Sequence, residues 1–213
     1  MKLVRTQDNS ITYYNAEVGD HYHSKSGAIE EAFEKHASAL RVTEIKKPII
    51  YDLFFGLGYN SAAAIDLCDS CTIYCFENDR AILEKILEID ANFKSWKIIQ
   101  SFIRNYLDNN VTVYDDGQVK MVLLFGDARE MINVVDEKAN FVFFDAFSPA
   151  KVPELWQVDF FKDIFDHMKA NSKLSTYSCA RFVRDNFREA GFVIEDGPII
   201  GRRSPSTIAI KKI

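Results

Sequence analysis

Acidic residues stand at or near the ends of four successive apolar segments of this 213-residue chain. Asp52 lies near the end of the first segment, and Glu77, Asp127 and Asp145 lie at the ends of later ones. Short apolar runs bounded by polar residues are typical of buried parallel strands, and open α/β sheets bind ligands at the carboxyl ends of such strands. The four acids therefore predict one ligand site along one edge of a sheet.

A Gly-x-Gly turn, at Gly56 and Gly58, follows the first predicted strand. Glycines at this place allow a tight turn and a close approach of a ligand to the backbone. A dinucleotide-binding fingerprint has a third glycine where this chain has Ser61, and the sequence contains no P-loop motif. The turn therefore favours a cofactor without a diphosphate.

Two of the acids have the spacing of adenosine contacts. Glu77 lies nineteen residues after Gly58, where an acid usually accepts hydrogen bonds from both hydroxyl groups of a ribose. Asp127 is placed to accept a hydrogen bond from an adenine amino group. The alternative role of each acid is to cap the helix that follows it. For the helix after Glu77, Asn78 or Asp79 fits this capping role equally well. Taken together, the acids and the glycine turn fit S-adenosylmethionine best.

Alternating strand and helix patterns from residue 48 onward place these residues in a fold. The pattern predicts strands over 48–55, 72–77, 141–145 and 172–178, two strands around the Asp-Gly turn within 111–127, and a closing antiparallel pair over 192–196 and 206–212. It predicts helices over 58–68, 79–89, 96–107, 153–170 and 180–191. This alternation is typical of an α/β fold with a doubly wound, mostly parallel, Rossmann-like sheet.

Residues 1–47 precede this pattern and are predicted to form an N-terminal extension of the main domain, residues 48–213. The extension contains short strands over 2–6 and 11–15 and a helix over 26–40. We expect this helix to pack on the sheet domain because one of its faces is apolar; that face holds Ala28, Ala32, Phe33, Ala37 and Leu40. Two other residues, His36 and His167, are expected to be ordinary helix histidines.

Several segments resemble the motifs of one methyltransferase family. DLFFGLGYN, CFEND and LLFGDARE resemble the successive cofactor motifs of class I S-adenosylmethionine-dependent methyltransferases. HYHSKSGAIEEA, FFDAFSPAKVPELW and STYSCARFVRDNFREAGF resemble the methyltransferase half of the bifunctional tRNA 5-methylaminomethyl-2-thiouridine biosynthesis proteins. The resemblance spans about residues 10–210. It implies an N-methyltransferase that converts 5-aminomethyl-(2-thio)uridine at the wobble position of tRNA to 5-methylaminomethyl-(2-thio)uridine, with the anticodon region of tRNA as its partner.

Two departures from the family pattern qualify this expectation. The flavin-dependent oxidase half of the bifunctional proteins is expected to be absent, so the chain resembles the stand-alone form. We therefore expect no FAD, and a separate enzyme that supplies the aminomethyl-uridine. The segment GRRSPSTIAI differs from the Lys-Arg-Glu-Met pattern of the bifunctional proteins, which leaves the uridine precursor open.

Asp145 is the acid to which the resemblance gives a catalytic role, together with Phe147. The Asp-Ala-Phe-Ser-Pro turn resembles the Asp/Asn-Pro-Pro-aromatic loop of amino-group methyltransferases. Asp145 would hold the amine, aim its lone pair and stabilise the developing ammonium, while Phe147 would supply an aromatic wall. Proline at 149 restricts its own φ and the residue before it, which predicts a rigid turn. The alternative for Asp145 is a cap of this loop or of the next helix.

The remaining site residues follow from these motifs, from the strand end at Tyr177 and from the arginines in the last third of the chain. Cofactor contacts are expected for Asp52, Phe55, Gly56, Gly58, Asn60, Glu77, Asp127, Ala128 and Asp145, and for His23 and Ser24, which would fold over the methionine end of the cofactor. Substrate contacts are expected for Ser148, Pro149, Lys151, Tyr177, Ser178, Arg181, Arg184, Arg188, Arg202 and Arg203. An exposed turn is the alternative for His23 and Ser24, and a core tyrosine is the alternative for Tyr177.

Positive charge is concentrated in the last third of the chain. Residues 151–213 hold 11 Lys and Arg against 8 Asp and Glu, although the whole chain has a net charge of −5. Arg181, Arg184 and Arg188 have the spacing of one helix face, opposite Phe182 and its apolar neighbours. Arginine forms bidentate contacts with phosphate, so we expect this face to contact tRNA, unless it is simply solvated.

Composition and cysteine usage exclude several classes of protein. Hydrophobic residues make up 47% and charged residues 27%, as in a soluble globular domain, and no run is long enough for a membrane span or a signal peptide. We expect a cytoplasmic protein. The four cysteines (Cys68, Cys71, Cys75, Cys179) lack a second pair of ligands at zinc-site spacing, so we expect no metal.

Two alternative functions are open from the residues. The first is a class I transferase that acts on a small amine or polyamine, a chemistry that favours several acids around the substrate. The second is a non-catalytic subunit that binds S-adenosylmethionine and assists a partner. A missing Asp145 or a degenerate glycine turn would have favoured the second alternative, and neither is found.

Overall fold

The central feature of the computed structural model, which describes residues 1–201 and 203–212, is an eight-stranded sheet. Its order is β10-β11-β9-β8-β4-β5-β7-β6, and a separate three-stranded sheet has the order β1-β2-β3. The strands are β1 (Lys2–Arg5), β2 (Ile11–Asn15), β3 (Asp20–His21), β4 (Ile49–Leu53), β5 (Cys71–Glu77), β6 (Val113–Asp115), β7 (Val119–Phe125), β8 (Ala139–Phe144), β9 (Met168–Thr176), β10 (Val193–Asp196) and β11 (Thr207–Ile210).

The middle strands of the large sheet, β9-β8-β4-β5-β7, are parallel, and antiparallel strands close both sides of it. Along the chain, β4, β5 and β7 step in one direction, and β8 then returns to the other side of β4. The strand order therefore reverses between β4 and β8, where open α/β sheets bind ligands. The predicted doubly wound sheet, its Asp-Gly hairpin and its closing antiparallel pair are confirmed.

Helices cover both faces of this sheet. They are α1 (Ala28–Glu31), α2 (Ser38–Leu40), α3 (Tyr59–Leu67), α4 (Arg80–Ile86), α5 (Trp96–Asn109), α6 (Ala128–Met131), α7 (Val158–Asp166) and α8 (Arg181–Glu189). A π-helical segment (Ala32–Ala37) joins α1 and α2 into one continuous helix, and 3₁₀ turns occupy Val42–Glu44, Ile132–Val134 and Pro153–Trp156. Among the described residues no helix combines the length and the apolar character that a bilayer span requires.

Alternation along the parallel strands divides the core into two layers. In β8, Phe141 and Phe143 face one layer, and Val142 and Phe144 face the other. The helix from Ala28 to Leu40 packs into the first layer together with α3 and α5, whereas α7 and α8 fill the second. The apolar face expected for the first helix is buried except at Phe33, which is partly exposed and stacks on Phe93.

The helix predicted over 153–170 is wrong in its extent. Pro153–Trp156 forms a 3₁₀ turn, Gln157 has an extended backbone, and α7 begins only at Val158. At the other end, Met168 leaves the helix because it pairs with Ala139 and starts β9. Sheet pairing therefore overrides the helical periodicity of the last residues in this segment.

Candidate functional site

Two cavities meet at the carboxyl ends of β4 and β8. The first cavity has a volume of about 440 Å³ and lies over the ends of β5 and β7, against Glu77 and Asp127. The second cavity, of about 550 Å³, lies between the β8 end and the N-terminal residues from His21 to Lys35. Tyr22, Asp145 and Phe147 line both. The ring centroids of Tyr22 and Phe147 lie 4.9 Å apart in an edge-to-face arrangement, and the two residues separate the cavities that they both line.

Asp145 follows β8 directly and is the acid shared by both cavities. Its Oδ2 atom lies 3.2 Å from Nδ2 of Asn60, 3.5 Å from Nδ1 of His23 and 3.9 Å from Nε2 of His36. Burial raises the pKa of Asp145, but these neighbours outweigh burial and hold that pKa below its ordinary value. Because these partners lie at Oδ2, Oδ1 is the carboxylate oxygen that has no partner among the described residues.

The turn after Asp145 is fixed by neighbours from two other segments. Trp156 is fully buried, and its indole Nε1 donates a hydrogen bond of 3.0 Å to the carbonyl oxygen of Phe147. The backbone N–H of Ser148 donates to Asp20 at 3.0 Å. The Pro-Glu-Leu-Trp segment therefore positions the Asp-Ala-Phe-Ser-Pro turn, in keeping with the rigid turn that the sequence predicts.

Glu77 lines the first cavity and organises the glycine turn. Its Oε2 accepts a hydrogen bond of 2.7 Å from the N–H of Gly56, and its Oε1 accepts from the N–H groups of Asn78 and Asp79 at 2.8 Å. Burial raises the pKa of Glu77 to about 7, against the lowering effect of these bonds. The helix-capping role belongs to Asp79, which accepts from Ala81 N–H at the start of α4, so Glu77 is left facing the cavity.

Asp127 and Ala128 also line the first cavity, after the strand next to that of Glu77. Asp127 caps α6, since it accepts from the N–H of Arg129 at 2.9 Å, and it also pairs with the guanidinium of the same residue. The hydrogen bond from Arg129 lowers the pKa of Asp127. The capping alternative is therefore realised, and the same carboxylate still borders the cavity.

Asp52, Phe55 and Asn60 lie beneath the cavities rather than in their walls. Asp52 is fully buried and accepts a hydrogen bond of 2.6 Å from Ser61 Oγ, and burial raises its pKa to about 7. Phe55 packs in the core, 2.7 Å from where a Cβ at Gly58 would lie. Gly58, with a φ of +78°, therefore has no room for a side chain, and Gly56, with a φ of +55°, has a left-handed backbone that favours glycine.

His23 and Ser24 line the second cavity, so they approach Asp145 from the side opposite the first cavity. Tyr177 lines the second cavity as well, whereas Ser178 is buried and its carbonyl accepts a hydrogen bond from Thr207. Ser148 borders this cavity, Pro149 is partly exposed, and Lys151 is exposed near Gly19.

The predicted arginine face divides into different environments. The side chains of Arg181 and Arg188 are exposed, but Arg184 donates hydrogen bonds to Thr207 Oγ1 and to the carbonyl of Ser206 and pairs with Asp196. Phe182, expected on the apolar side of α8, is 50% exposed, so that placement is wrong. Arg203 is exposed, and Arg202 lies outside the described residues.

The sequence reasoning missed the contribution of the first helix to this site. His36 was expected to be ordinary, yet it is 1% exposed, its Nδ1 lies 2.8 Å from Ser175 Oγ, and burial lowers its pKa. Lys35, next to it, lines the second cavity with Glu31. The π-helical segment brings these consecutive residues inward together, as such bulges often do at functional sites. The sequence did contain a signal for this, because the three polar residues 34–36 interrupt the apolar face between Ala32 and Ala37.

Buried polar atoms without partners surround Asp145. Among the described residues, His23 Nε2, Asp52 Oδ1 and Asn60 Oδ1 have no hydrogen-bond partner. Such atoms are uncommon in folded proteins and call for a partner that the protein alone does not supply. Polar atoms at the base of a cavity bordered by carboxylates fit an adenosine-type cofactor with an amino-acid tail. Within residues 1–201 and 203–212, no group of three or more His, Cys, Asp or Glu is arranged to hold a metal ion.

Comparison with known proteins identifies the class. Residues 92–212 match a family model described as S-adenosyl-L-methionine-dependent methyltransferase, and the chain belongs to that family. It is homologous to the methyltransferase region of MnmC, the tRNA 5-methylaminomethyl-2-thiouridine biosynthesis bifunctional protein. The MnmC of Pseudomonas savastanoi pv. phaseolicola is 28% identical over 93% of this chain, which spans 32% of that protein.

Two further relatives match nearly the whole chain. An uncharacterized protein of Methanocaldococcus jannaschii is 35% identical over 98% of this chain, which spans 59% of that protein. The crystal structure of MnmC2 from Aquifex aeolicus superposes with a TM-score of 0.79 at 30% identity, over 98% of this chain and 69% of that one. A spermidine synthase superposes with a TM-score of 0.55 at 13% identity, a likeness of fold alone.

Proposed function

We propose that this protein methylates the primary amine of a 5-aminomethyl group on the wobble uridine of tRNA. The observation that carries the proposal is Asp145, a carboxylate with a lowered pKa, at the junction of two cavities. One cavity would hold the methyl donor and the other the modified base. The names of the MnmC relatives, which make 5-methylaminomethyl-2-thiouridine in tRNA, support this choice of substrate.

The first cavity is where S-adenosylmethionine would bind. Glu77 would accept hydrogen bonds from the ribose hydroxyls, Asp127 and Ala128 would border the adenine, and Gly56 and Gly58 would let the ligand approach the turn. The unpartnered polar atoms of Asp52 and Asn60 would lie beneath its amino-acid end. When bound, S-adenosylmethionine supplies a methyl group on a positively charged sulfur, which a neutral amine accepts.

Asp145 would bind the amine through Oδ1, the oxygen without a protein partner. It would accept an N–H hydrogen bond, aim the nitrogen lone pair at the first cavity and stabilise the positive charge that nitrogen gains. The amine must first lose the proton that it carries at neutral pH. A carboxylate with a lowered pKa is a poor base, whereas burial lowers the pKa of His36 only from that of an imidazole, so the ring of His36 is better suited to receive this proton through Asp145.

The aminomethyl group must come from another reaction. We propose that a separate enzyme supplies the aminomethyl-uridine, because methyl transfer uses this amine and does not form it. No FAD or metal ion enters the proposed reaction.

The test is a transfer assay with labelled S-adenosylmethionine and tRNA that lacks the final methyl group, with nucleosides identified by mass. We expect methylaminomethyl-uridine from the wild type and at least a ~100-fold lower rate from Asp145→Asn, in line with the loss of one charge-stabilising group. Asp136→Asn, an exposed substitution of the same kind, is the matched control. Transfer by Asp145→Asn at the wild-type rate would contradict the role of this acid.

A small polyamine is the competing substrate, and the same assay addresses it with spermidine in place of tRNA. The acids of the second cavity are Asp20, Glu31 and Asp145. Asp20 accepts the N–H of Ser148, and Lys35 neutralises the charge of Glu31, so this cavity does not present the several uncompensated acids that a polyamine favours. Transfer to spermidine and not to tRNA would replace the proposed function with this one.

A further inference from the structure

The second cavity contains a buried ion pair that the chemistry at Asp145 does not require. Lys35 and Glu31 form a direct salt bridge one helical turn apart, and they are 3% and 8% exposed. Replacing a buried ion pair with apolar residues is often neutral or stabilising, so stability alone does not explain this pair. Both residues line the same cavity as Asp145.

Lys35 and Glu31 have hydrogen-bond donor and acceptor positions that no other described residue uses. An ammonium has three N–H donors, and among the described residues Glu31 is the partner of Lys35. Glu31 accepts from Lys35 at Oε1 and from the N–H of Ser24 at Oε2, which leaves further lone pairs on the carboxylate. The pair therefore presents a donor and an acceptor side by side to whatever enters the cavity.

We propose that Lys35 and Glu31 read the Watson–Crick edge of the target uracil, an inference that rests on the proposed function. Uracil presents the O4 acceptor next to the N3–H donor, the complement of an ammonium beside a carboxylate. Lys35 donates to O4 and Glu31 accepts from N3–H. The C5 substituent that carries the amine is adjacent to O4, so the amine lies on the Lys35 side of the base, and Lys35 and Asp145 line the same cavity.

The rest of the cavity suits a single unstacked base. Proteins that read single-stranded RNA bind bases between aromatic side chains and hydrogen-bond their Watson–Crick edges. Phe147, Tyr177 and Tyr22 line this cavity, whose volume of about 550 Å³ is in the range of nucleoside-sized ligands. A phosphate does not fit the pair, because Glu31 and Asp145 would repel it. The π-helical segment supplies the placement, since it turns Lys35 toward the base and His36 toward Asp145.

The test compares anticodon stem-loop RNAs that carry 5-aminomethyluridine or 5-aminomethylcytidine at the wobble position. Cytosine reverses the pattern, with a donor at N4 and an acceptor at N3. Dissociation constants are measured without methyl donor, and we expect the uridine RNA to bind about 10- to 100-fold tighter. Glu31→Gln and Lys35→Met should bring the ratio close to 1, whereas the exposed Glu34→Gln on the same segment should keep it.

A third RNA, with a methyl group on N3 of the aminomethyluridine, tests the wild type without any substitution. Loss of N3–H should weaken its binding about tenfold or more. Equal binding of all three RNAs would overturn the proposal. A folded Glu31→Gln variant with the same uridine-to-cytidine affinity ratio as the wild type would overturn it as well. Methyl transfer, scored in parallel, separates the two proposals. If methyl transfer occurs but the three RNAs bind equally, only the proposed role of Lys35 and Glu31 is wrong. If the RNAs bind with the expected preference but no methyl group is transferred, only the proposed reaction is wrong.

Discussion

Two aspartates within one buried cluster have pKa values that are shifted in opposite directions. Asp145 has donors at Oδ2, which hold its pKa low, whereas Asp52 has Ser61 on one oxygen and nothing on the other. Burial therefore dominates at Asp52 and raises its pKa to about 7. Asp145 is therefore kept charged, whereas Asp52 loses its proton only near neutral pH.

This difference predicts how stability depends on pH at Asp52. An unfolded aspartate has a pKa near 4, so between about pH 4 and pH 7 the folded protein binds more protons than the unfolded chain. The contribution of Asp52 to the free energy of unfolding therefore falls as pH rises through this window and is constant above it. This decline is absent in Asp52→Asn. The free energy of unfolding of the variant, relative to that of the wild type, should therefore rise by about 2–4 kcal/mol between pH 4 and pH 8.

Denaturant unfolding at a series of pH values measures this difference. The other titrating groups, including His36 and Glu77, are common to both proteins and cancel in the comparison. Asp136→Asn should give a curve parallel to the wild type because the residue is exposed. A parallel curve for Asp52→Asn would show that its carboxyl is ionised in the fold.

Residue types revealed the acids of the site but not their environments. Asp145, Glu77 and Asp127 border the cavities as expected from their places at strand ends, because strand order and alternation are encoded locally. The role of His36 was not predictable, since it depends on a π-helical segment that no periodicity indicates and on Ser175, 139 residues away in sequence.

At the scale of elements, the 3₁₀ turn Pro153–Trp156 matters for chemistry because it carries Trp156. In Trp156→Phe the ring volume is largely kept, but the hydrogen bond to Phe147 is lost and the Asp145 turn is loosened. We expect a loss of about 1–2 kcal/mol in stability and a roughly tenfold fall in methyl transfer, because small displacements of reacting groups reduce rates strongly.

Trp96 provides the matched control for this prediction. It is also buried, and its Nε1 donates to the carbonyl of Ile89 at 2.9 Å. Trp96→Phe should cost similar stability and leave the transfer rate of the folded protein unchanged. Equal effects of both variants on the rate would mean that Trp156 acts only through stability.

Helix α8 separates arginines that the sequence placed on one face. Arg184 joins the helix to β10 and β11, so Arg184→Ala should lower the free energy of unfolding by about 1–2 kcal/mol. Arg181→Ala and Arg188→Ala should change it by less than about 0.5 kcal/mol, since both side chains are exposed. Unfolding curves of the three variants decide this, and a stable Arg184→Ala would return that residue to the candidate RNA contacts.

At the scale of the whole molecule, the doubly wound sheet was predictable because each strand and helix carries its own pattern. The errors lie where tertiary pairing competes with that pattern, as at Met168, which exchanges a helical turn for a place beside Ala139. The meeting of two cavities at Asp145 was not predictable. It depends on how residues 20–36 fold over the sheet, which the sequence of the main domain does not specify.

The uneven charge of the molecule predicts a modest, salt-dependent affinity for RNA. The chain is acidic overall, but the exposed Arg181, Arg188 and Arg203 follow segments that border the second cavity, at Tyr177 and Gly201. If these three side chains contact phosphates, the logarithm of the binding constant should fall with the logarithm of salt concentration with a slope of about −2. Replacing all three with alanine should bring the slope close to zero and weaken binding at low salt.

The matched control removes the same charge elsewhere. Lys46, Lys97 and Arg104 are exposed and lie away from both cavities, so their replacement with alanine should preserve the slope. Fluorescence titration of a labelled anticodon stem-loop at several salt concentrations gives the slope and the low-salt affinity of each variant. If the two triple variants lose affinity equally, net charge alone governs binding and the arginines have no special place. If only the first loses its slope, the exposed arginines at the basic end of the chain contact the RNA backbone.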